Sequence, residues 1–199
     1  MKDLNRKISG IMIAIGFVVW MVISRSPEPF LTLAAILIHE TGHIMGAMLV
    51  KVPLGGFRLV PCEARLTLAG NLLSYKKELF ISAAGPIFNL LSLAVAHHFG
   101  ATVLGEGALS FFATVSAALA LLNLLPIGDF DGGRILYCLS APIISLRAAA
   151  ILCRLLSFLA LFCLWCISVY AIIRTGASLS LFLFSATLFI RIFTENPRL

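Results

Sequence analysis

The sequence predicts an all-α polytopic membrane protein with about six transmembrane helices and a small membrane-associated β-hairpin between the second and third. Three observations carry this. Apolar residues make up 60% of the 199 residues, and the mean hydropathy is +1.04. Only 12% of residues are charged, about half the share usual in soluble domains. Those charges fall between apolar stretches long enough to cross a hydrocarbon core of about 30 Å.

The first stretch is Ile8–Ile23, closed by Arg25, Pro27, Glu28 and Pro29. The basic segment Met1–Lys7 ahead of it also fits a signal peptide, but no small-residue cleavage site flanks Trp20–Ser24, so the stretch reads as a span. The second span is Phe30–Val50. From Lys51 to Lys77 the character changes, with Pro53, Gly55, Gly56, Pro61 and Gly70 breaking helices. Within it Gly56–Val60 and Ala64–Ala69 partly alternate apolar and polar residues, which suits two short strands turning at Pro61–Glu63. An open sheet is tolerated in a bilayer only against protein or water, so this hairpin is expected at the membrane surface or beside the second span.

The third span, Glu78–Phe99, is interrupted by Gly85-Pro86 and carries Asn89. The fourth, Ala108–Leu125, is rich in Ala and Ser, which permits close helix packing. It leads into Pro126–Arg134, expected to be irregular backbone. Ala148–Ile173 and the short Leu179–Ile192 complete the set. No linker, repeat or second domain is visible, so a single domain over 1–199 without a soluble regulatory domain is expected.

Counting Lys and Arg in the loops sets the orientation. With the N-terminus inside, only Arg25 and Arg174 fall outside, which places both termini in the cytoplasm and the protein in the cell membrane. The net charge of +6 then reads as anchoring of spans, not as a nucleic-acid surface. The fifteen Phe are bilayer and packing residues. The five cysteines, Cys62, Cys138, Cys153, Cys163 and Cys166, form no C-x-x-C pair and read as small apolar residues.

One cluster of polar residues breaks the second span. His39-Glu40-Thr41-Gly42-His43 is an H-E-x-x-H motif, and these two His and one Glu are the ionisable groups between Phe30 and Val50. Residues four apart on a helix lie about 40° apart around its axis, so His39 and His43 share a face and can hold one Zn²⁺. Glu40 lies on the neighbouring face, where it can take a proton from a water at the open coordination position. Ionisable groups inside a span are costly and mark functional sites.

Two histidines need a further ligand. His97-His98 lie at the outer end of the third span without a nearby carboxylate or Cys, and read as interfacial side chains. Asp129 and Asp131 follow the fourth span, on the side towards which the second span descends. Either carboxylate would give His₂Asp with a fourth position open. Gly132-Gly133 would then allow a tight turn and close approach to a metal or substrate. An inter-helix turn with an Asx-type hydrogen bond is the competing use of these residues.

Three ordered motifs together resemble the site-2 protease family of intramembrane zinc metalloproteases. They are H-E-x-G-H (His39 to His43), A-G-P-x-x-N (Ala84, Gly85, Pro86, Asn89) and N-x-x-P-(x)4-D-G-G (Asn123, Pro126, Asp131, Gly132, Gly133). Size and layout look most like the bacterial branch that includes the sporulation enzyme cleaving a sigma-factor precursor. The resemblance implies one Zn²⁺ per chain on His39, His43 and Asp131, with Glu40 activating water. It implies Asn123 and Asn89 as polar helpers that hold the substrate strand or the geometry of the site. The 56–70 hairpin would guide an extended substrate.

On this resemblance the chain hydrolyses a peptide bond within or next to a transmembrane segment of a membrane-anchored or single-span protein. The lipid bilayer and regulatory membrane proteins would be its other partners. Two other classes compete: a divalent-metal transporter using His39, His43 and Asp131 for transit, and a catalytically silent membrane binding protein. A transit site has no use for Glu40 beside His39, and a silent binder has no use for the intact set.

Overall fold

Helix α1 spans Glu28–Leu49 in the computed structural model. Pro29 sits in its first turn, where the missing N–H has no intrahelical acceptor to serve, and Glu28 faces the positive end of the helix dipole. The structure describes residues 15–16, 18–24, 26–52, 54–60, 63–68, 74–128, 130–175 and 179–194. They divide into two compact units, one through Leu124 and one from Leu125.

In the first unit α1 ends on a reversed turn at Lys51, whose φ of 54° is left-handed. Lys51 N–H donates to the Met48 carbonyl at 3.0 Å and Val52 N–H to the Ala47 carbonyl at 2.9 Å, the paired bonds of a Schellman ending. Val52 and Ala47 also pack together with Ile81. Strands β1 (Leu54–Val60) and β2 (Glu63–Leu68) follow, antiparallel, with Phe57 opposite Leu66 and Leu59 opposite Ala64. Helix α2 then runs from Tyr75 to Leu104, and α3 from Glu106 to Asn123. The two are separated by Gly105 alone, with φ of 78°, a value that suits a residue lacking Cβ.

The helices α1, α2 and α3 pack on one another. The inward stripe of α1 is Ala35, His39, Gly42 and Gly46, spaced by alternate four and three residues so that all lie on one face. Against it α2 presents the buried residues Ile81, Ala84, Gly85 and Asn89. A Cβ on Gly42 would fall 2.6 Å from the Ala84 carbonyl oxygen and 2.9 Å from Phe88 Cβ, and one on Gly46 would fall 2.9 Å from Ala84 Cβ. This is a small-x-x-x-small crossing, which lets two backbones approach within a distance that larger residues forbid. Helix α3 contributes its own stripe of Phe112, Ser116 and Ala120.

The second unit holds α4 (Asp131–Ser140), α5 (Leu146–Thr175) and α6 (Leu179–Thr194). Its core is Ile127 and Phe130 from the segment before α4, with Leu161 of α5 and Leu188 of α6. The hydroxyls of Ser168 and Ser185, both fully buried, meet at 3.5 Å between α5 and α6, the polar contact expected of helices surrounded by apolar side chains.

Among the described residues, four helices are long and apolar enough to cross a membrane: Glu28–Leu49, Tyr75–His98, Glu106–Asn123 and Leu146–Arg174. Large apolar side chains stand exposed along α5, among them Ile151, Leu155, Phe162 and Ile173. Most of the expected first span lies outside the described residues, although 18–23 are helical, and the sixth is a helix of 16 residues.

Two expectations need correction. Gly85-Pro86 does not interrupt the third span, because α2 continues through Pro86 to Leu104; a proline removes one helical hydrogen bond, and neighbouring helices support the rest. The 126–134 stretch is not irregular throughout either, since α4 starts at Asp131. Gly132 and Gly133 are therefore helical rather than a turn. The need for glycine at 133 is steric: a Cβ there would lie 2.6 Å from the Ile127 carbonyl carbon and 2.8 Å from Gly128 Cα.

Gly42→Ala is expected to destabilise the detergent-solubilised protein by about 1–3 kcal/mol through overpacking at the crossing. The control Gly107→Ala meets nothing within 4 Å and should stay within about 0.5 kcal/mol of the parent in thermal or chemical unfolding.

Candidate metal centre

The helical spacing of His39 and His43 brings their Nε2 atoms to 3.2 Å, with the rings edge-on at 83°. Two bonds of about 2.05 Å from one Zn²⁺, at a tetrahedral angle, would hold two nitrogens about 3.3 Å apart. The pair therefore already has the separation that one ion imposes. His39 is buried and His43 half-buried.

The far side of each ring is held by α2. His43 Nδ1 lies 2.8 Å from the Ile81 carbonyl oxygen. A carbonyl only accepts, so the ring hydrogen is assigned to Nδ1 and the Nε2 lone pair is left for a ligand role. Pro86 sits five residues further along α2 and lacks the N–H that would bond the Ser82 carbonyl. Asn89, fully buried, places Nδ2 3.3 Å from His39 Nδ1. Such outer partners are what orient metal-ligating imidazoles.

Gly85 is the floor beneath both rings. A Cβ there would overlap the His43 ring, 2.6 Å from its Cε1, and stand 3.0 Å from His39 Cε1. The space that glycine leaves is filled by the two imidazoles, so the A-G-P-x-x-N segment serves the histidines directly. Neither the Gly85 contact nor the Ile81 carbonyl is visible in the sequence. A backbone acceptor carries no residue signature, and a glycine next to a proline reads first as a helix breaker.

Glu40 follows His39 on α1, about 100° further round the axis, and is half-buried. Asn123, the last residue of α3, is half-buried and turns its Nδ2 back to the Leu119 carbonyl of its own helix at 3.0 Å.

In the second unit Asp131 is the first residue of α4 and is buried. A carboxylate there is favoured by the helix dipole. The segment leading to it is pinned to α5 by Ser157, which accepts from Gly128 N–H at 3.0 Å and contacts the Pro126 carbonyl at 3.0 Å. Ile127 and Phe130 fix the same segment through the apolar core. Ser157 was missed in the sequence, where a lone serine in an apolar span was the available signal. Asp129 lies outside the described residues.

No protein-family model matches the sequence, and no curated protein matches it either. Among solved structures, the site-2 protease from Methanocaldococcus jannaschii is similar, with a TM-score of 0.60 at 19% sequence identity, covering 96% of this chain and 89% of that one. The two proteins share a fold of apolar helices.

Gly85→Ala is expected to displace the imidazoles and weaken zinc binding about tenfold or more. Zinc content after dialysis against a graded chelator measures this, with the parent retaining one ion per chain under conditions that strip the variant.

Proposed function

We propose that the chain is an intramembrane zinc metalloprotease of the site-2 protease type, hydrolysing a peptide bond within or next to a transmembrane segment of a membrane-bound protein. The observation that carries this is the His39–His43 pair: two Nε2 atoms 3.2 Å apart on a span-length helix, each ring held from behind by α2. The shared fold with a site-2 protease and the three ordered motifs support the same class.

In this proposal, on the motif resemblance, His39, His43 and Asp131 would hold one Zn²⁺. When bound, that ion supplies Lewis-acid polarisation of the scissile carbonyl and acidifies a water. Glu40 takes the water's proton and delivers it to the leaving amide nitrogen. A neutral His43 suits the ligand role because its ring hydrogen is committed to the Ile81 carbonyl, on the side away from the ion. Asn123 helps to hold the substrate strand or the geometry of the site.

A helical substrate hides its amides in intrahelical bonds and must unwind to be cut. The hairpin of β1 and β2 has no third strand among the described residues, so strand addition at its edge would satisfy an unwound stretch of substrate. We place that hairpin at the membrane surface, both termini in the cytoplasm, and the site open to the cytoplasmic side, in line with the Lys and Arg distribution. The substrate class proposed is a membrane-tethered regulatory protein such as a sigma-factor precursor, on the resemblance in size and layout to the sporulation branch.

Co-expression with tagged single-span substrates tests this. Glu40→Gln should retain zinc and lose cleavage by about 10²–10⁴-fold, while His39→Ala and Asp131→Ala should lose both. Undiminished cleavage by Glu40→Gln removes Glu40 from the reaction. Zinc transport that survives Glu40→Gln without cleavage of any substrate assigns the site to transit instead.

A further inference from the structure

We infer that Asn89 is a positioning residue for His39, and that it acts as a hydrogen-bond acceptor when the site holds its metal. The inference rests on the metal site proposed above and deepens it by assigning the group that selects the ligating nitrogen of His39.

The two histidines are treated differently by α2. His43 meets a backbone carbonyl, which can only accept, so its Nε2 is committed to the lone-pair form whatever occupies the site. His39 meets an amide, which can donate from Nδ2 or accept at Oδ1. In the structure Asn89 turns Nδ2 to His39 Nδ1 at 3.3 Å, and its buried Oδ1 has no hydrogen-bond partner. With Nδ1 accepting, the hydrogen of a neutral His39 sits on Nε2, aimed at the lone pair of His43 Nε2 at 3.2 Å. That arrangement pairs the two rings with each other.

It is the wrong tautomer for a ligand. For His39 Nε2 to give its lone pair to a metal, the ring hydrogen must be on Nδ1, and the group facing Nδ1 must accept. Asn89 meets this by a half-turn of its amide, which exchanges Nδ2 for Oδ1 at the same place. The half-turn places Nδ2 where Oδ1 stood, so what it changes is the group that faces His39 Nδ1, from a donor to an acceptor. Asn89 is fully buried, which favours a role behind the histidine over contact with a substrate strand.

The test is zinc affinity of the full-length protein, measured by chelator competition in detergent, with unfolding midpoints of the zinc-free forms taken in parallel. Asn89→Leu keeps the volume and removes the acceptor; it should raise the zinc dissociation constant about 10–100-fold. Asn89→Asp can accept but not donate, and should hold zinc as tightly as the parent or more tightly. Asn89→Leu with the parent's affinity overturns the inference. Asn89→Asp weakened more than about tenfold also overturns it, because donation to His39 would then be what the loaded site requires; this variant decides the matter even if Asn89→Leu does not fold. His39→Ala separates the two levels. Parent-like zinc affinity in His39→Ala removes the metal site itself, whereas loss in His39→Ala with tight binding in Asn89→Leu removes only the role given to Asn89.

Discussion

The close crossing of α1 and α2 is the constraint on which the rest of the first unit depends. Gly42 and Gly46 let the α2 backbone at Ala84–Gly85 approach to a distance that any Cβ on Gly42 would block. Only at that distance can His43 reach the Ile81 carbonyl and His39 reach Asn89 from across the helix pair. In an apolar surround, helix association has little hydrophobic driving force and relies on packing and polar contacts. The crossing and the site are therefore one structure: the contacts that hold the helices together also orient the imidazoles.

The same economy governs the second unit. Apolar solvent offers no hydrogen bonds, so each backbone group released from a helix needs an internal partner. Pro126 to Gly128 leave regular structure; Ser157 Oγ accepts from Gly128 N–H, and its one hydrogen is shared between the Pro126 and Cys153 carbonyls. Ile127 and Phe130 then seat the segment in the core of α5 and α6. This leaves little freedom at Asp131, where α4 begins, and a carboxylate whose position is set by its neighbours is what a ligand role requires.

His39, Glu40 and His43 were legible because one helix dictates their relation: four residues is about one turn, whatever surrounds them. Four of the expected spans were legible for the same local reason, since length and hydropathy belong to a segment. The letters of A-G-P-x-x-N were equally visible, but their work was not. Gly85 and Pro86 look like helix breakers by composition, yet α2 passes through them, because a proline costs one hydrogen bond and a long packed helix tolerates that. Gly133 likewise looked like a turn residue and proved to be a helical position pressed against the Ile127 carbonyl.

By itself, then, the sequence determined the membrane class, the helix carrying the histidines, and their shared face, all consequences of periodicity and hydropathy within a single segment. Tertiary structure alone decided which backbone carbonyl commits His43, which amide stands behind His39, and which serine secures the segment before Asp131. These partners lie 38, 50 and 29 residues away in the chain. No local pattern encodes such pairings, because they exist only where packing brings two backbones close enough for a side chain of one to meet a polar atom of the other.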